Sequence, residues 1–233
     1  MTAVHRFDPP RKIEDIEHIV IYRREDAFCA WPYNCGFWKF AGGELLVGFE
    51  RAPCAYLNSR DVSHGLVHRV CELVLARSHD HGRTWKPEDA VVHHRRNDLA
   101  RLLTANRSLI PRPRPMDFAH PDFCMLSAFG VGPQGYPGLN ALFKSADRGR
   151  TWEGPQVLPA GRFGALFVKD FHLVLPDGMI LLFASASYGK RFDYDAFPIV
   201  YASTDQGVSW IVMAFIDHGN PHYSMVYPCP ALL

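Results

Sequence analysis

The octad Ser78–Trp85, SHDHGRTW, occurs twice more, as SADRGRTW at Ser145–Trp152 and as STDQGVSW at Ser203–Trp210. Each copy fits Ser-x-Asp-x-Gly-x-Thr/Ser-Trp and follows a short apolar run: ELVLAR, NALFK or PIVYA. Such an internal repeat restricts the fold to an array of similar units. The residue types suit a tight turn between strands. Asp80, Asp147 and Asp205 can accept hydrogen bonds from nearby backbone N–H groups. Gly82, Gly149 and Gly207 can take a positive φ that other residues resist. The Thr or Ser hydroxyl adds a second local bond, and Trp85, Trp152 and Trp210 can cover the turn from the next strand. A catalytic reading of the three carboxylates fits less well, because turns recur identically and active sites do not.

Between the octads the chain reads as strands and loops. Residues 1–20 form a lead-in ending in the strand IEHIVIY, followed by the loop RREDAFCAWPYNCG. NCGFWKF, the Gly42-Gly43 turn and ELLVGFER then read as a hairpin. An irregular stretch over residues 52–68 leads to RVCELVLARS, the first octad and a strand near TWKPEDAVV, which completes a four-stranded antiparallel unit. The octads stand 67 and then 58 residues apart. Common propeller repeats run ~40–50 residues, so the surplus belongs to loops. HHRRNDLARLLTANRS accommodates a short helical turn, and PRPRP is extended and exposed. The third unit runs FHLVL, Pro176-Asp177-Gly178, MILLFASAS, the loop YGKRFDYDAF, PIVYAS, the octad and WIVMAFI.

The expectation is an all-β fold, a single partial β-propeller over residues 1–233. Its blades lie at about 33–92, 105–158 and 166–216, with the first strand of a fourth at 223–233. Three blades and a stub do not close a ring, so the chain reads as roughly the N-terminal half of a propeller, with open edges available for self-association.

The chain has 233 residues, 48% hydrophobic, and a net charge of +1. That balance gives no argument for nucleic acid. No stretch is apolar enough to cross a bilayer, and MTAVHRFDPPRK lacks the apolar core of a signal peptide, so a cytoplasmic location is expected. Cys29, Cys35, Cys54, Cys71, Cys124 and Cys229 form no CxxC pair and read as buried free thiols. A Cys29–Cys35 disulfide is the alternative. His79 and His81 flank Asp80, but those turn positions point to solvent. His93 and His94 are adjacent and should diverge on a strand. No metal site, cofactor site, phosphate loop or nucleophile elbow is expected.

In a four-stranded antiparallel blade, the octad turn and the first hairpin turn share one face of the array. The remaining loops share the other, and loops on a rigid scaffold are where function is usually placed. This selects residues 22–34, 52–68, 131–138, 160–167, 188–197 and 218–224. Within them, Arg23, Arg24, Arg51, Arg60, Arg162 and Arg191 could bind a carboxylate or sugar hydroxyls. Asp61, Asp193 and Asp195 could serve as acid or base, and Tyr136, Tyr188, Tyr194 and Tyr223 could stack on a sugar face. Ordinary solvated loop residues are the competing reading for each.

The three octads and the DG-hairpin rhythm resemble the Asp-box (BNR) repeats of the sialidase superfamily, and AWPYNCGFWKFAGGELLVGFER resembles a bacterial sialidase-like, exo-α-sialidase group. The resemblance implies a six-bladed propeller and a glycoside hydrolase acting on terminal sugars of glycans. It needs no cofactor and no membrane. Sialidases use an Asp acid/base, a Tyr nucleophile assisted by a Glu, and three arginines on the substrate carboxylate, an exception among glycosidases. Carried over, Asp61 is the acid/base. The first arginine normally stands in an Arg-Ile-Pro motif, where this chain has Tyr33-Asn34-Cys35, so Arg24 or Arg51 must take its place. Arg191, Asp193, Tyr194 and Tyr136 are the substrate-binding candidates. The remaining machinery belongs to later blades, which leaves the isolated chain inactive. The rival expectation is a non-catalytic propeller that binds a glycan or a protein on the same loop face.

Overall fold

The computed structural model describes residues 12–30, 36–57, 71–131, 139–189 and 196–215. It contains three antiparallel sheets that follow one another along the chain. The first is built from β1 (Ala27–Ala30), β2 (Phe37–Lys39), β3 (Leu45–Pro53), β4 (Glu72–Ser78) and β5 (Val91–Arg95). The second is β6 (Cys124–Val131), β7 (Leu139–Ser145) and β8 (Glu153–Val157). The third is β9 (Ala165–Val174), β10 (Ile180–Ser187), β11 (Phe197–Ser203) and β12 (Ile211–Phe215). Strands in the middle of the stack are apolar on both faces: β11 is buried throughout, whereas the edge strand β12 is exposed at every second residue. Burial of both faces turns an alternating pattern into a continuous apolar run.

The octads make the β4–β5, β7–β8 and β11–β12 turns, with nearly superposable bonding. In the second, Ser145 Oγ donates to Asp147 Oδ1 at 2.7 Å and accepts from Gly149 N at 2.8 Å. Thr151 donates its N–H and its hydroxyl to the same carboxylate at 2.9 and 2.7 Å. Asp80 with Thr84 and Asp205 with Ser209 repeat this arrangement within 0.1 Å. The residue before each glycine also takes a positive φ (His81, Arg148 and Gln206), so two consecutive left-handed residues reverse the chain. In Asp80 the Thr84 hydroxyl bond leads in holding the carboxyl well below its usual range. Burial pushes Asp147 and Asp205 up, but the same hydrogen bonds outweigh it and bring both to about 2.

Several local expectations change. IEHIVIY is no strand: residues 12–24 run without regular structure, and Ile21 and Tyr22 pack on Phe49. The edge of β3 they would need is already occupied, because β1 pairs opposite Glu50–Pro53 and β2 opposite Leu45–Val47. A strand therefore stands inside the stretch read as a loop. The expected helical turn is a ten-residue helix, α1 (Arg96–Ala105), which turns Leu99 and Leu103 into the core between the first and second sheets. Those positions, four apart, lie on one helix face. The second sheet has three strands among the described residues, with α1 and an extended segment preceding β6.

His93 and His94 do not diverge. Leu73 pairs with His94 and Val74 with Val92, so His93 is an extra residue in a β-bulge. A bulge breaks the strict alternation of sides, and the two Nδ1 atoms come within 2.8 Å, both rings packing on Phe143. Cys29, Cys54, Cys71 and Cys124 are free thiols, with Cys29 only half-buried, and Cys35 and Cys229 lie outside the described residues. The expected fourth-unit strand at 223–233 lies outside the described residues. Among the described residues, no helix is long and apolar enough to cross a membrane.

Candidate functional site

The end of the first sheet opposite its octad carries a cavity of about 410 Å³, lined by Arg24, Arg51, Glu72, Arg95, Asp98 and Arg101 among others. Register explains the convergence. Arg51 on β3, Glu72 on β4 and Arg95 on β5 stand directly opposite one another in adjacent strands, with Cys29 on β1 completing the row. Arg51 donates to Glu72 Oε2 through Nη2 at 2.6 Å and Nε at 3.2 Å, and through Nη1 to the Tyr22 hydroxyl. Arg95 donates only its Nε to Glu72, at 3.0 Å. Arg24 forms a bidentate pair with Asp26 at 2.7 and 2.6 Å. The first residues of α1 supply the remaining wall, where Arg101 binds Asp98 at 3.0 Å.

Among the described residues, four guanidiniums and three carboxylates line this cavity. Every carboxylate is held by an arginine, and the Arg51 hydrogen bond leads in keeping Glu72 below the usual range. One positive charge is in excess. Arg95 and Arg101 are 65% and 75% exposed, so their outward N–H groups face the opening. The lining can therefore receive one anionic group by charge-assisted hydrogen bonds.

Beneath the cavity lies a buried pair. Arg96 donates to Glu50 Oε1 and to Cys71 Sγ, both at 3.1 Å, while Glu50 Oε2 has no partner. Burial raises the Glu50 carboxyl above its usual range, against the pull of Arg96. Burial likewise pushes the Cys71 thiol up to about 11, which makes it a poor nucleophile.

Of the sequence-derived candidates, the structure brings Arg24 and Arg51 into one cavity. Arg162 lies over Tyr188 and Phe215 at the end of the third sheet, with guanidinium-to-ring distances of 5.0 and 5.6 Å. Asp61, Tyr136, Arg191, Asp193 and Tyr194, with Arg60, Asp195 and Tyr223, lie outside the described residues. Glu72, Arg95, Arg101 and Tyr22 were not singled out. Cross-strand register carries the signal for Glu72 and Arg95, since they stand level with Arg51. The octad residues Asp80, Asp147 and Asp205 and Gly82, Gly149 and Gly207 sit in turns at the opposite end of the sheets and bond within their own octads. Among the described residues, no group of three potential metal ligands converges.

No protein-family model matches the chain, and no curated protein does. Solved structures do. A protein of unknown function from Dyadobacter fermentans matches with a TM-score of 0.56 at 19% identity, over 86% of this chain and 58% of that one. The Hadza microbial sialidase Hz136 matches with a TM-score of 0.50 at 16% identity, over 79% of this chain and 37% of that one. The chain thus spans little more than half the length of the first and about a third of the second. At such identities the shared property is the fold.

Proposed function

We propose that the three sheets are consecutive blades of a six-bladed Asp-box propeller, and that the whole protein is a sialidase-like glycoside hydrolase acting on terminal sugars. The observation that carries this reading is the arginine-rich cavity at the sheet end remote from the octads. Among the described residues its lining has one cation in excess, and it includes Cys71, the first described residue after the stretch of sequence that contains Asp61. In this reading Arg24 and Arg51, with Arg95, hold an anionic group of the terminal sugar, and Asp61 donates the proton to the leaving oxygen. Tyr136, Arg191, Asp193 and Tyr194, from the second and third units of the sequence, are the substrate-binding residues in the same reading. The remaining blades, or a second copy of the chain, cover the open faces of the first and third sheets.

A non-catalytic glycan-binding propeller is the second reading, and one observation favours it. All three carboxylates lining the cavity are ion-paired, so none of them is a proton donor. The test is a panel of fluorogenic glycosides, acidic and neutral, with the full-length protein. Asp61→Ala is expected to abolish turnover, and Arg51→Ala to lower kcat/KM on acidic sugars at least tenfold. Binding of acidic glycans without turnover of any substrate would establish the binder. Unchanged behaviour of Arg51→Ala would remove the cavity from the site.

A further inference from the structure

A second cavity lies between the first and second sheets. It is about 560 Å³ and is lined by Val91, His93, Phe143, Trp152, Arg77 and Arg150 among others. That volume lies within the range of small-molecule sites. This groove differs from the arginine cavity, whose lining among the described residues contains no aromatic ring.

Trp152 sets this groove apart from the corresponding places beside the other octads. Trp85 is fastened through Nε1 to Gly82 O at 2.8 Å. Trp210 is 5% exposed and packs on Phe118, so its indole N–H, which lacks an acceptor among the described residues, is sealed away from any ligand. Trp152 is half-buried on the groove wall, and among the described residues nothing accepts from its indole N–H. The bulged His93 stands edge-on to both Trp152 and Phe143, at 5.1 and 4.7 Å between centroids. Val91 adds an apolar surface 61% exposed to solvent. Arg77, Arg150 and Asp89 line the groove itself, and the balance is completed behind it: Glu44 and Asp122 hold Arg77, Arg148 and Arg150, so the network as a whole counts three cations and three carboxylates. An incoming ion would find no unmatched charge. What the groove offers is ring surface, the indole N–H, and the unused guanidinium and Asp89 hydrogen-bonding positions.

We propose that this groove is a second, accessory binding site for a neutral pyranose residue of a glycan. The hydrophobic face of such a sugar, a set of C–H groups, packs on Trp152 and Val91, while its equatorial hydroxyls bond Arg150 and Asp89. The proposal rests on the glycan reading of the whole protein but not on the arginine cavity.

The probes are the neutral sugars lactose, cellobiose and N,N′-diacetylchitobiose, followed by saturation-transfer NMR and tryptophan fluorescence. Saturable millimolar binding to at least one is expected of the native chain. Val91→Arg, at an exposed position, is expected to weaken it at least tenfold with an unchanged Tm. Trp152→Phe is expected to weaken it less, and Arg51→Ala to leave it intact. Binding to none of the three, or equal binding by native protein and Val91→Arg, overturns the accessory site. Loss of acidic-glycan binding in Arg51→Ala alongside either of those outcomes would leave the main functional reading standing, so the two fail separately.

Discussion

The junction between the second and third sheets and the junction between the first and second are built from the same repeated unit but held by different chemistry. The second–third junction is filled. Met125, Leu142, Val168, Leu182, Ile199 and Tyr201, all fully buried, belong to one apolar cluster spanning it. Polar side chains there reach across to main chain: Asn140 bonds both Leu166 O and Val168 N, Ser127 bonds Val168 O, and Tyr201 bonds Pro159 O. The first–second junction has an apolar core of its own, including Leu46, Leu103, Leu126 and Phe143, and adds an ion cluster at its octad end. Glu44 receives Arg77, Arg148 and Arg150, and Arg148 also binds Asp122. Its outer part stays open as the groove beside Trp152. The first–second junction is thus filled in its interior and ionic at its edge, where room remains between the sheets, whereas the second–third is filled throughout its described length.

The largest effect should come from the filled side. Leu142→Ala removes a fully buried side chain and should cost about 2–5 kcal/mol, measured as a shift in urea midpoint. On the ionic side, Glu44→Gln leaves three arginines facing a neutral group. Their partial exposure softens the penalty to about 1–3 kcal/mol. Equal losses in the two variants would erase the contrast.

Acid should open the ionic junction first. Burial lowers His93 to about 4, and it lowers His94 further, with the charges of His93 and Arg96 adding to it. The unfolded chain binds these protons near pH 6.5 and the folded chain only near pH 4. Stability is therefore fully present above pH 6.5 and declines as pH falls toward 4, by about 1.4 kcal/mol per pH unit per histidine. Urea midpoints across this range should slope, and His93→Phe should flatten the slope. A slope unchanged by that substitution would place the acid sensitivity elsewhere.

The smallest effects should come from the octads. Thr151→Val and Ser209→Ala each remove one hydroxyl bond to a turn carboxylate and should cost about 1 kcal/mol. Thermal melts giving equal shifts would show that the turns are indifferent to which junction they flank.

The octad turns were legible because five fixed residues specify one bonding pattern without tertiary help. The strands of the third unit were legible for a similar reason, as MILLFASAS and PIVYAS are apolar on both faces. IEHIVIY has strand-like residues but no free edge to pair with, since Ala27–Ala30 occupies it, and competition for an edge is decided by tertiary structure. The convergence of His93 and His94 depends on a bulge that periodicity does not reveal. At the site, Arg24 and Arg51 were found by following which sheet end each loop reaches. Glu72 and Arg95 lie within strands, where only the register shows that they share a level with Arg51.

Trp38 reaches from the first sheet and donates its indole N–H to the Met125 carbonyl of β6, an edge strand of the second sheet among the described residues, at 3.1 Å. A bare strand border of this kind is a template on which foreign chains can zip, the starting point of amyloid-type polymerisation. Here a bulky ring, with α1 alongside, covers part of that border, which has no paired strand among the described residues. The second sheet thus stays short without becoming sticky, and replacing the indole would expose it to intermolecular growth.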